Sequence, residues 1–394
     1  MPALSDTPLV AITCGGTGGH LFPGLAVGEA LRARGCDVML LISPKEVDQQ
    51  AVKSARGFTV ATLPAVAFNR RAPHRFALGF ARSFLAARKT FSPRVPSAVL
   101  AMGGFTAAPP VLAGKCCGAA TFLHESNTIP GRANRWLARW VDAAFVGFQE
   151  ASARLANPDA VVTGTPVRPQ FLGLDAARCR AALGLDPQRP VLLVTGGSQG
   201  ASAVNDLTLA ALPALVAALP ELQFLHLTGP QDAQRVRAAY TAQSARTVVM
   251  PFLAEMELAL GAATVAVSRA GASSLAELAA TRLPAVLVPF PAAADNHQFF
   301  NARAFVETGA AKMLEQNPGA AERLPGMVTE LLNDMAARGA MGAALARWHT
   351  PDAAEQIAGR ILQAIRRGQS PASHHNKGGA GGANRVALLQ GVIG

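Results

Sequence analysis

TVAVSRAGASSLAELAATRLPAVLVPFPAAADNHQFFN, residues 264–301, sets two short apolar runs on either side of a helical pattern. Thr264 to Ser268 reads as a buried strand and Ala285 to Phe290 as a second one. Between them lies the small-residue loop Arg269-Ala270-Gly271-Ala272-Ser273-Ser274, followed by Leu275, Leu278 and Ala279 at helical spacing. The second run ends in a polar loop with Asp295, His297 and Gln298. This is a strand-loop-helix-strand-loop unit, and open parallel sheets bind ligands outside the carboxyl ends of such strands. Small residues at a helix start allow free backbone N–H groups to approach an anion. Glu277 lies one turn further in, where its carboxylate is placed to accept sugar hydroxyls; in isolation it reads equally well as a solvated helix residue.

Two more loops of this kind lie upstream. Pro8 to Thr13 reads as a strand running into Cys14-Gly15-Gly16-Thr17-Gly18-Gly19-His20, and a helical run follows from Leu21 to Ala33. Pro190 to Thr195 runs into Gly196-Gly197-Ser198-Gln199-Gly200-Ala201 ahead of another helix. Each half of the chain thus starts strand, glycine loop, helix, which predicts an α/β fold of two Rossmann-like domains facing a cleft. The first loop fits G-x-G-x-x-G poorly, and no acidic residue closes the strand Asp37 to Ser43, which argues against a dehydrogenase. Ala98 to Met102, ending in Gly103-Gly104-Phe105, and Thr121 to His124, ending in Glu125-Ser126-Asn127, add strands to the first half. Val161 to Arg168 reads as the linker. Expected boundaries are 1–165 for the first domain, 166–350 for the second, 351–367 for a helix returning toward the first, and 368–394 for a disordered tail.

At 394 residues the chain is long enough for two cores. No apolar run reaches the ~18 residues of a membrane span, and Met1 to Asp6 lack the basic start of a signal peptide. The five cysteines have no paired spacing and read as reduced, small core residues. The net charge of +11 is concentrated. Between Asp48 and Glu125 stand ten basic residues and no acidic one, while the remainder carries 26 basic against 25 acidic. An anionic partner belongs there. If Arg75 to Phe91 is helical, Phe76, Phe80 and Phe84 share one face and Arg75, Arg82 and Lys89 another. We read this as a helix lying at an anionic membrane surface, with the phenylalanines entering it. The competing reading buries the phenylalanines, and a third face carries Leu78 and Leu85.

Seven blocks in order, GGTGGHLFPGLAVGEAL (15–31), MGGF (102–105), HESN (124–127), GTPVR (164–168), GGSQGA (196–201), SRAGASSLAEL (268–278) and DNHQFFNA (295–302), resemble the lipid-linked N-acetylglucosaminyltransferases of peptidoglycan synthesis, the MurG type of glycosyltransferase family 28. The resemblance spans residues 8 to 367 and implies the GT-B fold. It implies inverting transfer of N-acetylglucosamine from UDP-GlcNAc to the 4-hydroxyl of N-acetylmuramic acid in lipid I, at the cytoplasmic face of the bacterial inner membrane. Thr17, Gly18, Gly19, Asn127, Arg168, Ser198, Leu253, Ala272, Ser273, Ser274, Glu277, His297 and Gln298 then hold the donor. Glu277 would take the ribose and the backbone at Leu253 the uracil. His20 would be the general base, with Asn127 beside the attacking hydroxyl. No cofactor is implied, and with no Asp-x-Asp pair at a strand end no metal is expected. Partners would be UDP-GlcNAc, lipid I, the membrane and other cell-wall synthesis proteins, not nucleic acid. Ser126, Thr165, Ser273 and His297 stand where relatives often carry Gln, Asn, Leu and Gln. A galactosyldiacylglycerol synthase and a UDP-N-acetylglucosamine 2-epimerase share the fold and are the alternatives; a non-enzymatic binder would leave the glycine loops unexplained.

Overall fold

The computed structural model describes residues 7–16, 18–45, 49, 57–64, 73–104, 106–197 and 199–369. Thr17, Phe105, Ser198 and the expected tail from residue 370 lie outside them. Two all-parallel sheets form the frame. The first is built from β1 (Leu9–Thr13), β2 (Asp37–Ile42), β3 (Thr59–Thr62), β4 (Ala98–Ala101), β5 (Ala120–Glu125), β6 (Ala143–Val146) and β7 (Ala160–Val162), in the order β3-β2-β1-β4-β5-β6-β7. The second is built from β8 (Val191–Thr195), β9 (Gln223–Leu227), β10 (Arg246–Met250), β11 (Val265–Ser268), β12 (Ala285–Leu287) and β13 (Lys312–Met313), in the order β10-β9-β8-β11-β12-β13. Both follow the doubly wound pattern, with the strand order reversing beside β1 and beside β8. The central strands β1 and β8 are buried along their whole length, as continuous apolar runs covered by helices on both faces must be.

The stretch 264–301 folds as read, with β11 and β12 flanking the helix Ala272–Thr281. Val161 to Arg168 differs from its reading as a linker. Its first residues close β7, which pairs with β6, so the chain leaves the first sheet only from residue 163. Val161 and Val162 supply β-branched pairing residues that the neighbouring Gly and Pro concealed.

The helix Pro73–Phe91 corrects the membrane reading of Phe80 and Phe84. Phe91 is fully buried, and Phe80 and Phe84 pack on the core of the first unit together with buried Ala87. Leu78 (53% exposed) and Leu85 (65%) face outward instead. Periodicity defines faces without saying which one the sheet takes. The core of the first unit takes the aromatic one because rings bury more apolar area than leucines.

The two units are joined by more than the linker. Phe148, which follows β6, packs into the second core against Trp348, their rings 5.4 Å apart, and Trp348 stacks on Phe305 at 4.5 Å. The chain then returns. The helix Ala353–Gln369 buries Ile357, Ala358, Ile361 and Ile365 against Val10, Leu21, Leu25 and Phe122 of the first unit. At this second crossing Gly164 (φ 76°) sits against Thr350, where an added Cβ would lie 2.5 Å from the threonine hydroxyl.

Candidate active site

The carboxyl ends of the two sheets face each other across a cleft of about 1260 Å³. Its first wall carries Gly18, Gly19, His20, Glu125 and Asn127. Its second carries Gly196, Gly197, Leu253, Ala272, Ser273, Ser274, Glu277, His297 and Gln298. The predicted positions therefore converge, apart from Thr17 and Ser198, which are not described, and Arg168, which is set behind the wall.

The first wall is made by close backbone approach. An added Cβ at Gly15 would lie 2.4 Å from the Ser43 nitrogen, so only glycine permits the turn out of β1. The helix Gly18–Ala33 starts earlier than the apolar pattern indicates and takes His20 into its first turn. The imidazole rests on a second glycine turn. A Cβ at Gly103 (φ 107°) would come within 2.9 Å of its Cε1, and one at Gly104 (φ 81°) within 3.3 Å of its Cδ2. Thr106 ties this turn to the first by donating to the Gly15 carbonyl at 2.8 Å. The glycines of MGGF are thus a seat for the ring.

Glu125 is the organising group here, and residue-type reasoning passed over it. It is 2% exposed and ends β5. Its Oε1 accepts from the Asn127 backbone N–H (2.8 Å) and side-chain amide (3.0 Å). Its Oε2 accepts from Gly131 N–H and the Asn134 amide, both at 2.9 Å. Four donors satisfy the buried carboxylate. Asn127 is held twice over, because its Oδ1 also accepts from Asn301 Nδ2 at 3.0 Å. Asn301 is fully buried on the helix His297–Glu307 of the second unit, and its Oδ1 accepts from the backbone and hydroxyl of Thr128. The two units thus share one polar network beside the cleft. His124 next to it bonds the Gly164 carbonyl at 3.0 Å, and burial lowers its pKa, leaving it neutral.

On the second wall the helix Ala272–Thr281 points its first turn into the cleft behind the extended Gly271. Ser273 donates to the Gly19 carbonyl across the cleft at 2.8 Å. Glu277 lines the floor, its carboxyl pushed up to about 7 by burial; nearby Arg168 opposes the rise and Glu257 adds to it. Arg269 is buried and donates to the carbonyls of Val288 and Pro289, which fixes the loop after β12. Burial lowers its pKa to about 10, so it stays cationic at neutral pH. In that loop Asp295 and Asn296 adopt φ of 50° and 53°, conformations that are strained for residues with a side chain. Asp295 reaches Arg132 (3.3 Å) and Arg135 (2.7 Å) of the first unit, and these two cations hold its carboxyl below the usual range. His297 and Gln298 spend polar atoms on the same loop, at Ala294 O and Phe290 N. Among the described residues, no three His, Cys, Asp or Glu side chains gather to hold a metal ion.

Outside the cleft, Arg75, Leu78, Arg82, Leu85 and Lys89 recur every three or four residues and are all exposed. They form one outward stripe on the helix whose inner face sends Phe76 and Phe80 into the cleft lining. Among the described residues, no helix is long and apolar enough to cross a membrane.

Two facing Rossmann-like sheets with glycine loops and helix starts at one cleft define the GT-B class of fold. Residues 10–146 match the glycosyltransferase family 28 N-terminal domain and residues 191–357 its C-terminal domain. The UDP-N-acetylglucosamine--N-acetylmuramyl-(pentapeptide) pyrophosphoryl-undecaprenol N-acetylglucosamine transferase of Xanthomonas euvesicatoria pv. vesicatoria is 38% identical over 410 residues, covering all of this chain and 90% of that protein. The crystal structure of Acinetobacter baumannii MurG superposes with a TM-score of 0.68 at 25% identity, covering 91% of this chain and all of the other. A Listeria monocytogenes structure described as a putative UDP-N-acetylglucosamine 2-epimerase superposes with a TM-score of 0.69 at 15% identity, a likeness of fold alone. The chain belongs to glycosyltransferase family 28 and, within it, to the family of the MurG N-acetylglucosamine transferases.

Proposed function

We propose that this enzyme transfers N-acetylglucosamine from UDP-N-acetylglucosamine to the 4-hydroxyl of N-acetylmuramic acid in undecaprenyl-pyrophosphoryl-N-acetylmuramyl-pentapeptide, forming lipid II with inversion. The observation that carries this reading is the opposition of His20 and the first turn of the 272–281 helix in one cleft, bridged by Ser273 and Gly19. His20 takes the proton of the acceptor hydroxyl as its oxygen bonds to the anomeric carbon. The bond from that carbon to the diphosphate breaks on the opposite side, and UDP departs with the electron pair. The amides at Ala272, Ser273 and Ser274, with the backbone of the 196–201 loop, supply the positive potential on which that charge develops. Glu277 accepts the ribose hydroxyls, Leu253 meets the uracil, and His297 and Gln298 border the transferred sugar. Asn127, pinned between Glu125 and Asn301, orients the acceptor from the first wall. The positive groups replace a metal, so turnover should persist in excess EDTA; dependence of the chemical step on added Mg²⁺ or Mn²⁺ would overturn that part.

The acceptor is a lipid, and the outward stripe of Arg75, Leu78, Arg82, Leu85 and Lys89 supports peripheral docking on the cytoplasmic face of the inner membrane. Incubating the protein with labelled UDP-N-acetylglucosamine and lipid I, and scoring labelled lipid II, tests the reaction. Hydrolysis or epimerisation of the donor without a disaccharide product would refute it.

A further inference from the structure

The loop between β12 and the helix His297–Glu307 is tied to the first unit at its tip. Residues 290–296 include no buried residue. Their backbone bonds close within the loop, from Ala293 N–H to the Phe290 carbonyl at 3.1 Å and from Asn296 N–H to the Ala293 carbonyl at 2.8 Å. His297 and Gln298 turn back onto the same segment. Asp295 reaches away from it. Its Oδ1 lies 3.3 Å from Arg132 Nη2 and its Oδ2 2.7 Å from Arg135 Nη2, so one carboxylate takes two cations of the first unit. The arginines project from one face of the helix Arg132–Leu137. That helix follows Gly131, whose N–H is held by Glu125, the carboxylate that also holds Asn127. Asp295 and Asn296, at φ of 50° and 53°, are both left-handed, a conformation that persists only where the surroundings fix it.

We propose that Asp295 is a positioning residue: through Arg132 and Arg135 it clasps the loop of the donor wall onto the acceptor wall, and so sets where His297 and Gln298 meet the transferred sugar. The proposal rests on the reading of His297 and Gln298 as the residues that border that sugar. Two ties to the first unit flank this pair. Asn301, further along the same helix, is buried and bonds Asn127 and Thr128. Asp295 stands just ahead of the helix, so Asn301 is the fixed point and Asp295 sets the position of the first turn. The ties differ in strength. The buried amide network leaves stranded polar groups if it parts. The clasp is exposed, with the arginine side chains 65% and 42% accessible, and ion pairs so placed contribute little. Two left-handed residues oppose them, so the clasp stands near balance and can release the loop as donor enters and UDP leaves. When it is closed, the sugar contacts and Asn127 are registered on the same anchor, Glu125. The uracil and ribose subsites proposed at Leu253 and Glu277 lie on other elements, after β10 and on the helix Ala272–Thr281. The clasp therefore acts on the sugar half of the donor.

The test compares the KM for UDP-N-acetylglucosamine with the inhibition constant of UDP, both measured on the full chain with a saturating short-chain lipid I analogue. UDP lacks the sugar, so the ratio of the two reads the sugar contacts alone. Asp295→Asn should raise KM about fivefold, the scale of an exposed ion pair, with UDP inhibition and melting temperature unchanged. Arg132→Gln together with Arg135→Gln should raise the ratio equally from the other unit, and this pair carries the test if Asp295→Asn does not fold. The triple variant should be no worse than either parent variant, because one contact is lost only once. Parent-like ratios in all three, or a UDP inhibition constant that rises in step with KM, would overturn the proposal. So would effects that multiply in the triple variant, or a ratio raised by Asp295→Asn and not by the arginine pair, which would put the carboxylate on the sugar itself. His297→Ala combined with Gln298→Ala separates the two readings. It should raise the same ratio; an unaltered ratio refutes the sugar assignment of the loop, whereas a raised one beside parent-like Asp295→Asn and arginine variants refutes only the clasp.

Discussion

The two walls of the cleft handle charge in opposite ways. On the first, the buried carboxylate of Glu125 accepts four hydrogen bonds, and Asn127 is held between that carboxylate and Asn301. On the second, Arg168 and Glu257 pair at 3.9 Å behind the wall, and Arg168 Nε and Glu257 Oε2 are buried without a hydrogen-bond partner among the described residues. Both Glu125 carboxyl oxygens are satisfied, although Asn134 Oδ1 beside them is buried without a hydrogen-bond partner among the described residues; a carboxylate bonded in this way holds its neighbours stiffly. An under-satisfied one is poised for a ligand's own donors and charges. The Glu125 carboxylate is thus satisfied before any ligand binds, and the Arg168–Glu257 pair is not.

The sharpest break of this contrast is at the chemistry. His20→Ala should lower kcat by ~10²–10⁴ with donor KM little changed, measured at saturating lipid I. A fall below tenfold would reduce the histidine to a filler of the Gly103-Gly104 seat. Next is the stiff wall. Glu125→Ala strands four donors and should cost about 3–5 kcal/mol in urea unfolding. A loss under 1 kcal/mol would mean that water substitutes for the carboxylate and the wall is not rigid.

The poised wall should respond differently. Glu277→Ala gives up a charged hydrogen-bonding group to the donor, worth ~1.5–3 kcal/mol, and should raise donor KM roughly 10- to 150-fold without loss of stability. Stability and binding should also run in opposite directions with pH. Burial raises this carboxyl from 4.5 to about 7, so the folded chain holds an extra proton between those values. Its contribution to stability therefore falls as pH rises through that window, while donor affinity increases. Thermal melts and donor titrations across pH 5 to 8 that moved together would contradict the assignment.

The smallest effects belong to the outer helix. Phe80→Ser should destabilise by about 2 kcal/mol, less than the roughly 3–5 of a fully buried ring, and leave liposome binding intact. Leu78→Ser should spare the melting temperature and weaken binding to anionic liposomes, as should charge reversal of Arg75, Arg82 and Lys89. The inverse result would return the phenylalanines to the membrane.

What was legible in the sequence follows from how local each feature is. Glycine loops after apolar runs are written in consecutive residues; they located both sheets, and the residues expected to hold the donor line the cleft apart from Thr17, Ser198 and Arg168. The stripe of residues 75–89 was legible as faces, but the face that turns inward is chosen by partners laid down elsewhere in the chain, the helix Ala108–Cys116 among them. Glu125 and Asn301 stood inside quoted motifs, yet their partnership spans more than 170 positions and has no local signature. Arg168 was expected among the donor-binding residues through the resemblance of GTPVR; the rings of Phe22 and Phe171 that hold it behind the wall come from two different units.

The helix Ala353–Gln369 has one more consequence, for the order in which the molecule is made. Its isoleucines complete the core around Val10 and Leu25, although more than 300 residues separate them in the chain. As synthesis proceeds from the amino end, the first unit emerges with an apolar face uncovered and keeps it until this helix leaves the ribosome. The second unit has its aromatic and aliphatic core in hand before that. The half of the protein that is translated first is the half that is finished last.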